Sequence, residues 1–466
     1  MAPTLEAEAD PQTAVSSQHR VRFAAVAVTA VFVVVACRLA LAVWRYSVNI
    51  LFWDQWDFYT PLFQHASLWQ IFNWQHGVHR EGIGLVLDKI VLDSTRWNSR
   101  AEALFMVAAL CAATIVALRL KQRLFGSPSS QDVGYKKFDY SDVAIPCLFL
   151  TFAQMESFVG APNPSLSAVP ELLLGLYCLA WMLPKPLARY TTVLVLNFLL
   201  IYSGYFLFMG VVTIGVLLLD LRRALRAGSG LPALPAIALL LAAASMGGFF
   251  YHYSWAPNVP CFHFPDAHPW NYLWFIALMM SYFLGLRAAL TASVAGVFLM
   301  LAAVVVVIWH GVRLWRKREW APLDLIVVIL LSFAFLFSAN AAIGRVCQGM
   351  PEAAQFSRYM PFMVPAYLAI YFHLLTWRKS AMRVVLATVF VIALIPGTVL
   401  MPNGYSPQLV SEGKQAWKTC ILQTGNIDYC DQATGFPIYP DPRRTHLVEK
   451  LQFLQKNRLN LYSGDR

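Results

Sequence analysis

The chain has 466 residues, of which 58% are hydrophobic and only 13% charged, with a mean hydropathy of +0.54 and a formal net charge of +11. So little charge cannot cover the surface of a water-soluble protein of this length, and a soluble globular fold is excluded. The basic excess does not point to nucleic acid, because Lys and Arg gather in short segments between apolar runs, such as Arg313, Arg316, Lys317 and Arg318, and form no stripe interleaved with aromatics.

A membrane span needs about 20 mostly apolar residues, and such stretches recur from residue 21 to residue 401. Residues 1–20 are small and polar, with Glu6, Glu8 and Asp10, and read as a disordered cytoplasmic tail. The first apolar run, 22–44, is too long for a signal-peptide core and reads as an uncleaved anchor. Arg20 and Arg22 precede it; Arg119, Lys121, Arg123, Lys136 and Lys137 follow the second run, 101–120. Basic flanks face the cytoplasm, so the loop 45–98 is expected outside.

Runs at 142–158 and 166–183, joined by an outer link at 160–165, lead to Lys185 and Arg189. The stretch 190–220 has cytoplasmic signals at both ends, so it should cross twice and turn near Ser203, Gly204 and Tyr205. A run at 231–250 precedes the outer loop 251–270. Residues 271–312 read as one crossing plus a helix lying in the outer interface, with three short crossings as the rival. Runs at 322–340, 360–376 and 384–401 follow, with Arg378 and Arg383 marking the last cytoplasmic turn. The fold class is therefore all-α: a polytopic transmembrane bundle of about eleven spans over 21–401. The N-terminus is expected in the cytoplasm and the tail 402–466 outside.

Four of the eight cysteines, Cys37, Cys111, Cys147 and Cys178, lie in apolar runs and read as small core residues. Cys420 and Cys430 are close together in the outer tail, where either a disulfide or two free thiols fits. No C-x-x-C pair exists, which argues against a thiolate zinc site.

Polar chemistry concentrates in three outer segments. The first loop reads FWDQWDFYTPLF and then WQHGVHREGIG. Asp54 and Asp57 fall at i and i+3, one face of a helical turn, and His76, His79, Arg80 and Glu81 follow. A carboxylate at a membrane surface can serve as a base, tuned by partial burial and by neighbouring cations; an aromatic-belt loop with solvated charges is the plainer alternative. No cofactor is required by the sequence, although His76 and His79, with Asp54 or Glu81, could hold a divalent ion. A His/Arg/Glu hydrogen-bond network accounts for the same residues.

The second segment carries Gln154 and Glu156 at the outer end of the third run, with Ser157, Asn163 and Ser165 after them and Glu171 in the first turns of the fourth. Ionisable groups at that depth usually face a cavity or a partner. The third segment, AIGRVCQGMPEAAQFSRYMPF, brings Arg345, Arg358 and Tyr359. Two guanidiniums at the interface suit a phosphate or pyrophosphate, which arginine grips bidentately; snorkelling, or pairing with Glu352, is the alternative. His263, Asp266 and His268 in the loop 251–270 are weaker candidates for substrate contact. No P-loop, Rossmann fingerprint, G-x-S-x-G or H-E-x-x-H motif is present, so ATP-driven transport has no support.

The motifs WDQWD after the first span, HGVHRE, QMESFVG and GRVCQG…SRY together resemble a family of bacterial multi-pass membrane proteins. The layout is similar to that of the GT-C superfamily of glycosyltransferases, with an acidic first outer loop, many spans and an outer tail. The resemblance covers most of the bundle and rests on short motifs. It implies a transferase of the bacterial inner membrane that takes a sugar from a polyprenyl-phosphate-linked donor at the extracytoplasmic face. The superfamily's catalytic aspartate, at the start of the first outer loop, corresponds to Asp54 first and Asp57 second. His76, His79, Arg80, Glu81, Gln154, Glu156, Arg345, Arg358 and Tyr359 would then bind substrate. The expected partners are the lipid-linked donor, membrane lipids and an acceptor of unspecified class. The tail 402–466 is shorter than in many members, which implies no large acceptor-recognition domain. A transporter for a lipid-linked saccharide, or a subunit of an envelope assembly, is the alternative; polar residues concentrated at the outer face favour chemistry there over passage through the bundle.

Overall fold

The computed structural model describes residues 11–126, 138–226, 233–255, 259–316, 321–377, 379–401, 406–443 and 445–464. Glu6, Glu8, Asp10, Lys136, Lys137, Lys317, Arg318 and Arg378 lie outside them. The chain is helical almost throughout, as its apolar runs demand. Within a bilayer every backbone N–H and C=O must be satisfied inside the protein, and a helix does so along its own length.

Helix α1 (Pro11–Tyr46) is followed by three single-turn helices, α2 (Gln55–Phe58), α3 (Thr60–Phe63) and α4 (Leu68–Phe72). A two-residue hairpin, β1 (Gln75–His76) and β2 (His79–Arg80), leads into α5 (Gly82–Ser94) and α6 (Ser99–Phe125). Next come α7 (Ala144–Phe149), α8 (Glu156–Val159), α9 (Ala168–Ala180), α10 (Pro186–Ile201), α11 (Phe208–Arg226) and α12 (Ala233–Phe250). The bundle closes with α13 (Trp270–Phe283), α14 (Ala289–Arg316), α15 (Pro322–Arg345), α16 (Val364–Leu374) and α17 (Ser380–Val399), and the tail forms α18 (Pro407–Thr424), α19 (Ile427–Thr434) and α20 (Leu447–Asn457).

Seven helical stretches among the described residues are long and apolar enough to cross a membrane: Arg22–Tyr46, Ser99–Phe125, Gly204–Arg226, Ala233–Phe250, Ala289–Arg316, Pro322–Gln348 and Ser380–Val399. The protein is thus an integral membrane helical bundle, and the seven are fewer than the expected eleven. Helices α9 and α10 are apolar but shorter. The expected double crossing of 190–220 is a real hairpin. Its turn passes through Tyr202 and Ser203 to Gly204, whose φ of +57° and contact with the Ser165 carbonyl leave no room for a side chain.

Four expectations change. First, the segment expected to be a disordered tail is helical from Pro11 onward. Second, the run 142–158 is not one helix but a chain of short turns, Tyr140–Val143, α7, Phe152–Gln154 and α8. Here side chains compete with the helix ladder: Thr151 Oγ1 accepts from Ala153 N and donates to Gly397 O, and Gln154 Nε2 donates to Phe149 O. Third, within 271–312 the helix paired with the long crossing α14 is buried from Phe275 to Phe283, not laid on a lipid surface. It nests against α14 because Gly296 meets the Ala277 carbonyl directly. Fourth, the run expected at 360–376 is not one regular helix: a tighter turn over Ser357–Met363 leads into α16, which is buried on every side from Val364 to Phe372. A helix apolar all round is a core element, and this one is the centre of the bundle.

Two of the cations inside the bundle are placed where partners exist. Arg38, within the first span, donates to the Thr398 and Val399 carbonyls at the C-terminal end of α17, where the helix dipole favours a cation. Lys121 and Asp142 form a buried ion pair at 2.7 Å, and the Tyr371 hydroxyl donates to the same carboxylate.

The first loop and the tail form a second core of their own. Trp56, Phe58, Tyr59, Leu62 and Trp97 from the loop pack with Trp417, Ile421, Leu447, Leu451 and Leu454 from the tail. Polar bonds stitch the same interface. Asn460 donates to Trp97 O, Ser99 Oγ and Asn49 Oδ1, and the Lys450 ammonium reaches Trp56 O. This two-part cap sits on one end of the bundle and carries the Cys420–Cys430 disulfide; a second disulfide, Cys261–Cys347, ties the loop after α12 to the end of α15.

Candidate functional site

Under the cap, three chain segments distant in sequence converge on Tyr205, which follows the turn glycine Gly204. Its ring lies 5.0 Å from His79 and 5.6 Å from both Phe337 and Phe362. Arg345, Arg358, Tyr359 and Asp54 all lie within its electrostatic reach. The three polar segments singled out in the sequence therefore meet at one place.

Asp54 stands at the N-terminal cap position of α2, exposed, with no side-chain capping bond. The residue before it, Trp53, has φ 50°, a left-handed conformation uncommon for a bulky side chain. Its amide is held by the Ile438 carbonyl from the tail. The tail thus helps hold the chain in the bend that presents Asp54. Asp57, its partner one turn later, faces the other way: it accepts from Thr445 Oγ1 at 2.6 Å and from Tyr439 Oη. Its carboxylate is engaged in docking the tail, and of the two aspartates Asp54 alone is open to a ligand.

Arg358 follows Ser357, whose hydroxyl donates to Ala153 O and accepts from Glu156 N. Glu156 Oε2 in turn accepts from Arg358 N at 3.1 Å. These bonds lock the S-R-Y segment onto the Q-M-E segment and put the Glu156 carboxylate beside the Arg358 guanidinium. That guanidinium lies 4.7 Å from the Phe356 ring centroid and 5.8 Å from that of Tyr359. Gln154 does not face the site; it is buried and holds the turn behind it. Glu171 is buried in α9 among apolar groups, away from the cap.

The H-x-x-H-R-E stretch folds as a tight hairpin. Gly77, at φ +59°, takes the first turn position, where a type II′ hairpin favours glycine. His76 pairs directly with His79 across the ladder and Gln75 with Arg80, so both imidazoles fall on one face. Arg80 is on the other: its guanidinium donates to Asn73 O, Phe249 O and Tyr251 O. It clasps the end of α12 to the hairpin, and all three of its nitrogens are occupied away from any substrate. Glu81 is fully buried beside the two histidines, and Asn163 Nδ2 donates to its Oε2 at 3.0 Å. Burial pushes the Glu81 pKa up, but His79, His76 and the Asn163 bond outweigh it and hold the carboxyl below its ordinary range. Burial lowers the His76 pKa, against the pull of Glu81 and Asp54. His263, Asp266 and His268 lie on the separate loop before α13, where Asp266 caps its own turn through His268 N and Asn271 Nδ2.

Two glycines let these segments close. A side chain at Gly82 would meet the Tyr202 carbonyl at 2.3 Å, and one at Gly84 would meet the Ser165 backbone at 2.5 Å. Overpacking typically costs about 1–3 kcal/mol, and backbone cannot move aside as a side chain can. Gly84→Ala is therefore expected to lower the thermal midpoint in detergent by several degrees. An unchanged midpoint would show that the α5 contact with 163–165 is loose.

A buried polar cluster beneath α2 escaped the sequence reading. The Tyr59 hydroxyl donates to Asp88, while Gln55 Nε2 donates to Glu102 Oε2 at 3.0 Å and to Pro162 O. From the tail, Lys414 Nζ donates to the Val159 and Gly160 carbonyls. The available signal was Asp88 on the otherwise apolar face of α5 that carries Leu85 and Leu92, while Lys89 and Asp93 pair with each other at the surface. Burial, reinforced by Glu81, pushes Asp88 up to about 8 from an ordinary 3.8, despite the Tyr59 bond. The folded-state value exceeds the unfolded one, so this group's stabilisation is complete below about pH 4 and lost as pH rises to about 8. The steepest slope for one such group is about 1.4 kcal/mol per pH unit. Asp88→Asn, which mimics the protonated acid, is expected to flatten the decline in thermal stability between pH 5 and 8. A variant as pH-sensitive as the parent would place the titrating group elsewhere.

No protein family, no curated protein and no solved structure matches this chain.

Proposed function

We propose that the protein is a GT-C-like glycosyltransferase that moves a sugar from a polyprenyl-phosphate-linked donor to an acceptor hydroxyl beneath the cap. One observation carries the reading: the open Asp54 carboxylate and the Arg345 and Arg358 guanidiniums all lie within electrostatic reach of the same tyrosine, Tyr205, where the bundle meets the cap. Asp54 takes the acceptor's proton as the acceptor oxygen attacks the anomeric carbon. The bond from that carbon to the phosphate oxygen breaks, and the two arginines stabilise the charge left on the lipid phosphate. Glu156 orients Arg358, and Tyr359 packs alongside. His79, with His76 and Glu81 behind it, reaches the same tyrosine from the first loop.

The cap is the extracytoplasmic face in this reading, with the N-terminus in the cytoplasm of a bacterial cell and the membrane its inner one. Both disulfides support that orientation, since they persist in oxidising compartments and lie at the cap end. The eleven-span count is retained by letting α9, α10, the broken segment 140–159 and the segment 357–374 cross as well. Their non-helical turns are buried in protein, where a bilayer tolerates them.

Purified protein in lipid, given a panel of radiolabelled polyprenyl-phosphate sugars, is expected to pass label to an acceptor. Tight donor binding with no turnover across a broad acceptor set would replace this reading with a carrier of lipid-linked saccharides.

A further inference from the structure

The geometry points to a divalent metal site of the zinc type formed by His76, His79 and Glu81. His79 Nε2 lies 3.2 Å and His76 Nδ1 3.7 Å from the same atom, Glu81 Oε1, and all three donor atoms lie within 4.8 Å of one another. Ligands about 2.0–2.2 Å from a tetrahedral zinc stand roughly 3.3–3.6 Å apart along the edges of the tetrahedron. Modest rotation of two imidazoles reaches that spacing.

Well-aligned hydrogen bonds leave the cluster incompletely satisfied. Both His79 nitrogens, His76 Nδ1 and Glu81 Oε1 are buried with no aligned hydrogen-bond partner among the described residues. The His79–Glu81 approach at 3.2 Å is a close charged contact that lacks that alignment. Leaving a buried polar atom unpaired costs about 1–3 kcal/mol, and here four lie together. A divalent cation satisfies three of them at once.

The surroundings suit an ion. The Asn163 amide fixes Glu81 Oε2 and turns Oε1 toward the histidines, the outer support metal-binding carboxylates ordinarily have. The Tyr205 ring limits the swing of His79. Two imidazoles and one carboxylate select a borderline cation such as Zn²⁺ over Mg²⁺ or Ca²⁺, which prefer all-oxygen shells. Three protein ligands leave one coordination position open to water or a further ligand, and His76 is the partly exposed member of the three. This assignment stands whether or not the protein transfers sugars.

The test uses the full chain in lipid nanodiscs, stripped with a chelator and titrated with Zn²⁺ by calorimetry and with Co²⁺ by visible absorption. One ion per chain and a tetrahedral cobalt band are expected. His76→Gln and Glu81→Gln should abolish both, and Asn163→Ala should weaken binding by about 10–100-fold. His252→Gln, on the exposed loop after α12, should change neither. Should Glu81→Gln fail to fold, His76→Gln decides the matter, because that ring is partly exposed, at 22%, whereas Glu81 is fully buried. No ion bound by the parent at millimolar Zn²⁺, or undiminished binding in His76→Gln, overturns the site.

Discussion

Asp54→Asn is expected to leave a folded, membrane-inserted protein whose sugar-transfer rate falls by about 100- to 10,000-fold, the usual contribution of a positioned general base. Asparagine keeps the shape of the side chain and loses only its basicity. Asp54 is exposed and makes no capping bond, so nothing in the fold depends on its charge. The loss should appear in kcat, with donor affinity little changed, because in the proposed mechanism Asp54 acts on the acceptor proton while Arg345 and Arg358 hold the phosphate. A variant that turns over at the parent rate would remove Asp54 from the chemistry. It would not hand the role to Asp57, whose carboxylate is engaged by Thr445 and Tyr439.

Trp417→Ala tests the other half of the arrangement and is expected to be the most destabilising single change in the cap. Trp417 is fully buried in the core shared by loop and tail, and its indole nitrogen donates to Asp431 Oδ1 at 2.6 Å. Truncating a buried tryptophan typically costs about 3–5 kcal/mol, and here it also removes one of the two hydrogen bonds to Asp431 Oδ1, leaving that from Ile438 N. The consequence should be local. The cap has its own core, so limited proteolysis of the variant is expected to cut within 47–98 and 406–464 while the bundle stays resistant. Transfer should fall with it, since the tail's Ile438 carbonyl holds the backbone next to Asp54. Equal protease resistance in variant and parent would mean that the cap is held mainly by its attachment to the bundle. Lys414 is the chief such anchor, and burial has lowered its pKa to about 7.

Membrane residence, the all-helical class and the hairpin turning at Gly204 were all legible in the sequence, because burying backbone in lipid requires long apolar runs and a turn between them requires a residue free of Cβ. The three polar segments were legible for a related reason: charged and histidine-rich clusters are costly beside a bilayer and stand out against an apolar background. Periodicity does not report what interrupts a helix, so the break-up of 142–158 by Thr151 and Gln154 could not be read. Nor could the burial of α13 and α16, since an apolar helix facing lipid and one facing protein have the same composition. The sequence therefore determined by itself that this is a membrane bundle whose polar clusters lie in a few loop segments. Only the tertiary structure decided which of those polar residues are engaged and which are open. It drew Arg80, Gln154 and Asp57 into structural bonds, left Asp54 open, joined the first loop to the tail, and set His76, His79 and Glu81 around one point. Those outcomes depend on contacts between residues tens to hundreds of positions apart, and local pattern carries no information about such contacts.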